Sequence, residues 1–457
     1  MSDRVIAFGS SRKAGYGKPR SHDIGNRLNF MQNTVHLLAH RRFLPLFVTQ
    51  FLGAMNDNLF KNAMVLFVVY NVYSDPRQEE QFSGLATALF ILPFFLLSAV
   101  AGQLADARDK ARLVRLVKTA EIGIMVVGAA GLLMANIPLM LLALLAMGVH
   151  STFFGPIKYA ILPQHLQPDE VLGGTGLIEA GTYIAILAGT ILAGLMSAKV
   201  AAVAVLLVAI VGWFSAREVP SAPPVGTPDP IDFNVFRASY KLVTATMHIP
   251  RLFLAIISIS FFWTIGSVLF IQFPPLVKNV LTSGKEVASL FLAIFSIGIA
   301  IGSIVINRLL KSEVSARYAP ASVIVMGGFI IAFHLVAVNW AQDNSGQLFT
   351  IIEFMKHPGA IPLTLTLLGI AVAGGMFVVP LYAFLTTTVP KSETARTVAA
   401  NNIVNAGCMV AGSALALGLS ALGVSAVNQL LLTAIMCLMS AWLAWKLHKA
   451  CPPGNCQ

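Results

Sequence analysis

This chain is short of charge. Only 11% of its 457 residues are Asp, Glu, Lys or Arg, where a soluble domain carries about 25%. That shortage excludes a solvated globular surface, and 56% of the residues are hydrophobic. Cysteine is scarce too: Cys408 and Cys437 lie inside apolar runs, and Cys451 and Cys456 sit in the closing CPPGNCQ. No paired spacing links them, so neither a disulfide framework nor a Cys/His zinc site is expected. Catalytic signatures are also missing. There is no Gly-x-Ser-x-Gly elbow, no phosphate-binding loop and no His-x4-Asp pair; His165 and Asp169 have one residue too few between them. Neither an enzyme nor a cofactor is expected.

What is present is apolar sequence in lengths that fit a bilayer, whose hydrocarbon core of about 30 Å needs about 20 residues of helix. Twelve such windows stand between Gly, Pro and charged breaks, at 43–72, 82–105, 112–134, 137–162, 172–198 and 200–216, then 251–278, 287–310, 319–340, 360–388, 395–420 and 425–447. The expectation is an all-α membrane protein of twelve transmembrane helices. Residues 1–42 form a basic, Gly/Ser-rich arm with no apolar core ahead of a cleavage site, which suits a cytoplasmic extension better than a signal peptide. Residues 43–216 and 251–447 are two six-helix halves, and 448–457 form a short cytoplasmic tail too small for an output or acyltransferase domain. Between the halves, the polar, proline-rich 217–250 places Phe233, Phe236, Tyr240 and Val243 at helical spacing, which predicts an amphipathic helix lying on the membrane surface.

The net charge of +11 does not call for nucleic acid. With an even number of spans, both termini, the linker and the loops after spans 2, 4, 8 and 10 share one side. That side holds about 25 of the 31 basic residues, which makes it cytoplasmic and draws it to anionic membrane lipid.

The halves also repeat. FFGPIKYAIL around Pro156 and FVVPLYAFL around Pro380 share a frame, and at the same offset Gly194 meets Gly418. Two similar halves in parallel resemble the major facilitator plan. The loop after span 2, GQLADARDKARL, is similar to that superfamily's cytoplasmic signature, with Gly102, Asp106, Arg108 and Arg112 in the key places. The loop after span 8 keeps Gly302, Arg308, Lys311 and Arg317. Asp106 paired with these bases is expected to gate the halves.

Ionisable groups deep in a span cost about 2.5–3.5 kcal/mol each, so they should face a partner or a cavity. Asp57 and Lys61 of span 1, Lys158 of span 4 and Glu179 of span 5 are the candidates. Asp57 and Lys61 stand four apart on one helix face and can pair, with Asn56, Asn58 and Asn62 beside them. His150 is expected to be a satisfied interhelical histidine, and Lys118 with Glu121 a local pair. The second half offers polar groups without charge, among them Gln272, Tyr382, Asn401, Asn402 and Asn405, in a setting of Phe262, Phe270 and Phe377. A cavity with one charged and one oily wall suits an amphiphile: Asp57 and Lys61 for a zwitterionic head, the aromatic wall for a chain. A large hydrophobic drug or a siderophore would fit it nearly as well.

Taken together, TQFLGAMNDNLFKNA, GQLAD, FFGPIKYAILPQ, GGTGLIEAGTYIAILAGTILAG and GGMFVVPLYAFL with its Asn-rich span 11 resemble the bacterial lysophospholipid transporters. The resemblance covers most of 43–447. It implies an inner-membrane secondary transporter, by superfamily habit a monomer, that flips lysophospholipid from the outer to the inner leaflet for re-acylation by a membrane acyltransferase. It maps the family's acidic and basic span residues onto Asp57, Lys158 and Glu179. Two departures stand out: Phe270 lies where the family has an arginine in span 7, and NNIVNAGCMVAG lacks the family's span-11 glutamate.

Overall fold

The computed structural model describes residues 36–167, 170–224, 230–310, 315–340, 347–387 and 394–450. Most of the N-terminal arm, Lys311, Cys451 and Cys456 lie outside them. Fourteen α-helices are present among the described residues: α1 Leu44–Asn71, α2 Pro76–Ala107, α3 Lys110–Leu133, α4 Ile137–His165, α5 Val171–Leu195, α6 Ala198–Arg217, α7 Val235–Met247, α8 Pro250–Asn279, α9 Lys285–Leu309, α10 Ala319–Val338, α11 Ile351–Lys356, α12 Ala360–Thr387, α13 Thr394–Ala421 and α14 Ala426–Ala450. Ten of them are long and apolar enough to cross a membrane. The other two expected spans are α1, with its polar centre, and α5, of which Ala180–Leu195 is a shorter apolar stretch.

The starts are written in the sequence. Asp75 caps α2 by accepting from the Arg77 amide, with Pro76 at the first helical position, where a missing N–H costs nothing. Asp109, Asn136 and Ser197 cap α3, α4 and α6 in the same way. The prolines at 93, 156 and 380 sit inside α2, α4 and α12.

Packing repeats between the halves. In the first, α1 lies against α5 and α6, α2 against α4, and α3 against α4 and α6. In the second, α8 lies against α13 and α14, α9 against α12, and α10 against α12 and α14. The two halves meet where α2 packs on α13 and α5 on α9, the same pair of positions exchanged. Sequence similarity around Pro156 and Pro380 is thus matched by one helix arrangement used twice.

Three features depart from the sequence-based expectation. α2 begins at Pro76, six residues before the apolar window at 82. The loop between spans 9 and 10 carries α11, whose Thr350–Glu353 capping box is complete. And α7 bridges the halves: Ala238, Leu242 and Val243 pack with Ala99 of α2 and Ile403 of α13. Val243 therefore faces protein, while Phe233, Phe236 and Tyr240 are 74%, 72% and 70% exposed, an apolar strip suited to lipid. Outside the spans, Arg237 binds Asp232 through two nitrogens at 2.7 Å and holds that carboxyl below its ordinary range.

Candidate functional site

The site begins with the seam between α1 and α5. Gly189 lets α1 come so close that an added Cβ would sit 2.4 Å from the Met55 carbonyl. Polar groups fasten the seam: Thr182 donates to Gln50 at 2.8 Å, and Asn62 donates to Thr190 at 2.9 Å. In a dry seam each such bond contributes about 1 kcal/mol. Asn62→Ala is therefore expected to lower stability by about 1 kcal/mol, read as a lower unfolding midpoint in detergent, without altering headgroup selectivity.

Behind the seam lies a buried charge cluster that the sequence reveals only in part. Lys118 and Glu121 of α3 form the expected pair, and both are buried. Gly53 and Gly212 leave room for the ammonium, which lies 2.9 Å from where a Cβ on Gly212 would stand. The pair is not local, however. Asn56 of α1 donates to Glu121 Oε1 at 2.9 Å, and His150 Nε2 of α4 lies 3.2 Å from Glu121 Oε2. His150 Nδ1 is 3.4 Å from Ser151 Oγ, and that hydroxyl donates to Asp57 Oδ2 at 2.5 Å. One continuous path thus runs Lys118–Glu121–His150–Ser151–Asp57 across three helices.

Asp57 and Lys61 do not pair. Asp57 is taken by Ser151, its Oδ1 has no hydrogen-bond partner, and the Lys61 ammonium lies over the Phe90 ring at 5.4 Å. In place of the expected i, i+4 ion pair, Ser151 of α4 donates to the carboxylate and the Lys61 ammonium lies against the Phe90 ring. Asn58 is half-buried and donates to the Ala54 carbonyl of its own helix. Lys158, lower on α4, lies over the neighbouring Tyr159 ring at 4.9 Å. The Glu179 side chain lies outside the described residues.

In the second half an aromatic and amide cluster joins α8, α12 and α13. Trp263 donates to the Tyr382 hydroxyl at 2.8 Å, Asn405 reaches the same oxygen at 3.4 Å, and Ser260 donates to Asn405 at 2.6 Å. Phe270 stacks edge-on against Phe295, centroids 4.9 Å apart, and stays half-buried. Phe262 and Phe377 pack on each other in the core, so neither offers a surface for a chain. Asn402 is exposed, with Asn401 at 3.5 Å.

Gln272 is a correction. It is only 1% exposed and donates to Gln429 at 2.7 Å, which in turn donates to Glu80 at 3.2 Å. It belongs to a seal between the halves, at the end opposite the linker. There Glu80 also accepts from the Ala426 amide at 2.8 Å. Lys278 of α8 pairs with Glu79 of α2 and donates to the Val69 and Tyr73 carbonyls. Asn279 donates to Glu79 as well, Tyr70 to the Ser283 carbonyl at 3.0 Å, and Lys285 to the Met196 carbonyl. Glu79 is fully buried. Sequence reasoning misses it because PRQEEQF reads as a loop.

Among the described residues no ion pair engages the expected gate at the linker end. Asp106, Arg108 and Arg112 are exposed, and a Cβ on Gly102 would meet nothing within 4 Å. It is Asp109 that is held, accepting from the Arg112 amide at 3.1 Å and from Ser221 at 2.5 Å.

A bundle of twelve spans in two like halves, sealed at one end and holding a separate buried charge path, is the plan of a secondary transporter, not of an enzyme. The chain belongs to the Major Facilitator Superfamily, whose family model matches residues 46–413. It is similar to Lysophospholipid transporter LplT of Serratia proteamaculans, 25% identical over 357 residues, 76% of this chain and 80% of that protein. Its counterpart in Cronobacter sakazakii is 26% identical over 355 residues, 76% and 81% of the two chains. Among solved structures, a bacterial homologue of the human lysosomal transporter Spinster, inward-facing and unoccupied, superposes with a TM-score of 0.64 at 12% identity, covering 92% of this chain and 97% of that one. A D-xylose–proton symporter gives 0.65 at 11% identity, covering 91% and 99%. These two structures share the fold.

Proposed function

We propose that this transporter flips lysophospholipid from the outer to the inner leaflet of a bacterial inner membrane, with both termini cytoplasmic, acting as a monomer beside a separate acyltransferase. One observation carries the reading: Asp57 and Lys61 lie one helical turn apart yet form no ion pair with each other. A zwitterionic headgroup supplies what each lacks, an ammonium for Asp57 Oδ1 and a phosphate for Lys61. Lys158 stands toward the cytoplasmic exit, and Asn58 flanks the headgroup. The acyl chain lies along Phe270, Trp263 and Tyr382, with Asn402 at the rim. The similarity to transporters named for lysophospholipid supports the same substrate.

In this state the seal at Glu79–Lys278 closes the outer face, and the disengaged Asp106 loop leaves the inner face free to open. Alternating access then consists of exchanging one closure for the other.

The test places labelled lysophosphatidylethanolamine in the outer leaflet of liposomes holding the purified protein. Protein-dependent transfer to the inner leaflet is expected. Transfer of a hydrophobic dye with no transfer of the lysolipid would replace this reading with that of a drug or siderophore transporter. Phe270→Ala removes part of the chain-binding wall and is expected to weaken apparent affinity about tenfold, since each buried CH₂ is worth about 0.8 kcal/mol. The loss should grow with acyl length.

A further inference from the structure

α7 has three faces, and the fold uses one of them. Ala238 and Leu242 pack with Ala99 of α2 and Ile403 of α13, and Thr246 continues that buried face. Phe236 and Tyr240, one turn apart, form an exposed aromatic face together with Phe233 just before the helix. The third face carries Arg237, Lys241 and Thr244, with His248 just past the end, all exposed. Arg237 is taken by Asp232, while Lys241 forms no ion pair among the described residues. Aromatic side chains at the acyl boundary beside bases at headgroup level mark a helix lying in a membrane surface, and the bases there favour anionic lipid.

The seat of α7 belongs to both halves. Ahead of the helix, the Asp232 amide donates to Gln103 Oε1 of α2 at 2.7 Å. Behind it, only His248 and Ile249 intervene before α8, the first span of the second half. The helix is thus a crossbar tied to one half at each end. Deeper along the same seam α2 and α13 touch directly, since a Cβ on Gly407 would stand 2.9 Å from the Phe95 ring. At the linker end α7 packs against both. The bonds Glu79–Lys278, Glu80–Ala426 and Arg77–Ser420 tie the halves at the opposite end. In this state, then, the outer end is shut and α7 is seated. Shutting the linker end moves α2 and α13 relative to each other there and takes the seat away.

We propose that α7 is a binding surface for anionic phospholipid of the inner leaflet, and that lipid held there favours the outer-closed state. A ligand stabilises whichever state contains its site, and this site exists only while α7 sits against α2 and α13 together. The lipid acts as a regulator, apart from any substrate in the central cavity. That the leaflet is the inner one rests on the topology proposed above; the preference of the helix for anionic lipid does not.

The test uses the purified full-length protein in nanodiscs of phosphatidylcholine, alone or mixed with phosphatidylglycerol. Spin labels sit at Val72 and Leu422, exposed on opposite halves at the outer end. Phosphatidylglycerol should raise the ratio of short to long distances about fivefold, the effect of one base at an anionic surface. Lys241→Gln should lose that rise yet keep the wild-type ratio in phosphatidylcholine alone, and Lys241→Arg should retain the rise. Phe236→Ser combined with Tyr240→Ser, which leaves the buried face intact, should lose it too. A wild-type ratio that ignores phosphatidylglycerol overturns the proposal. So does a full response in Lys241→Gln, which would place the lipid on other bases. A response present at high protein density in vesicles and absent from single-copy nanodiscs would seat a second copy of the chain on the aromatic strip, and overturns the lipid assignment as well. Both leaflets of the disc have one composition and no substrate is added, so the outcome is independent of the proposed topology and of lysolipid transport.

Discussion

Asp57→Asn abolishes transport and leaves a folded, inserted protein. The amide keeps the shape of the carboxylate, and its oxygen still accepts from Ser151, so the bond between α1 and α4 survives. What disappears is the charge. A headgroup ammonium entering the site would be buried without an anion, at a cost of about 3–5 kcal/mol. Transport should fall by roughly 100-fold or more, while the unfolding midpoint stays near that of the wild type. Asp57→Glu should recover part of the activity, because charge is kept and position is not. Normal flipping by the asparagine variant would remove Asp57 from the headgroup site. A collapsed midpoint would instead make it a structural residue.

Much of this site is legible in the amino-acid sequence. Asp57, Lys61 and Lys158 stand out because charge in an apolar span needs a reason, and the aromatic wall is visible in the run of Phe between 262 and 295. Twelve spans and their pairing in halves follow from length and repetition. Partners are another matter. Spacing along one helix suggests Lys61 for Asp57, but Ser151 lies 94 positions away, and only the packing of α1 on α4 brings it close. The same holds for His150 and Glu121: they stand on different helices, α4 and α3, and their contact exists only between helices. Gln272 reads as a cavity residue because its span carries so little else that is polar; its partner, Gln429, is 157 positions further on. The Asp106 loop is legible as a motif but not as a state, since a gate's sequence is the same open or closed.

The seal at the outer end gives the second large effect. Glu79 is fully buried and Lys278 nearly so, with side-chain exposures of 0% and 16%, and they belong to different halves. Among the described residues, no cation of the first half pairs with Glu79. Opening this end must therefore separate the two charges and let water reach both. Lys278→Met removes the cation while Asn279 remains as a neutral donor, leaving a buried carboxylate unpaired in the sealed state only. Such a group costs about 3–5 kcal/mol, which shifts a two-state equilibrium by roughly 100-fold or more toward the form that hydrates it. Spin labels at Val72 and Leu422, both exposed and on opposite halves at this end, should report a longer separation in the variant than in the wild type. Glu79→Gln combined with Lys278→Met removes both charges and should return the short distance, since an amide beside Asn279 is satisfied without a cation. An unchanged distance in Lys278→Met would mean that the Gln272–Gln429–Glu80 chain, and not the ion pair, holds the halves together; Glu80→Ala should then open the end that Lys278→Met did not.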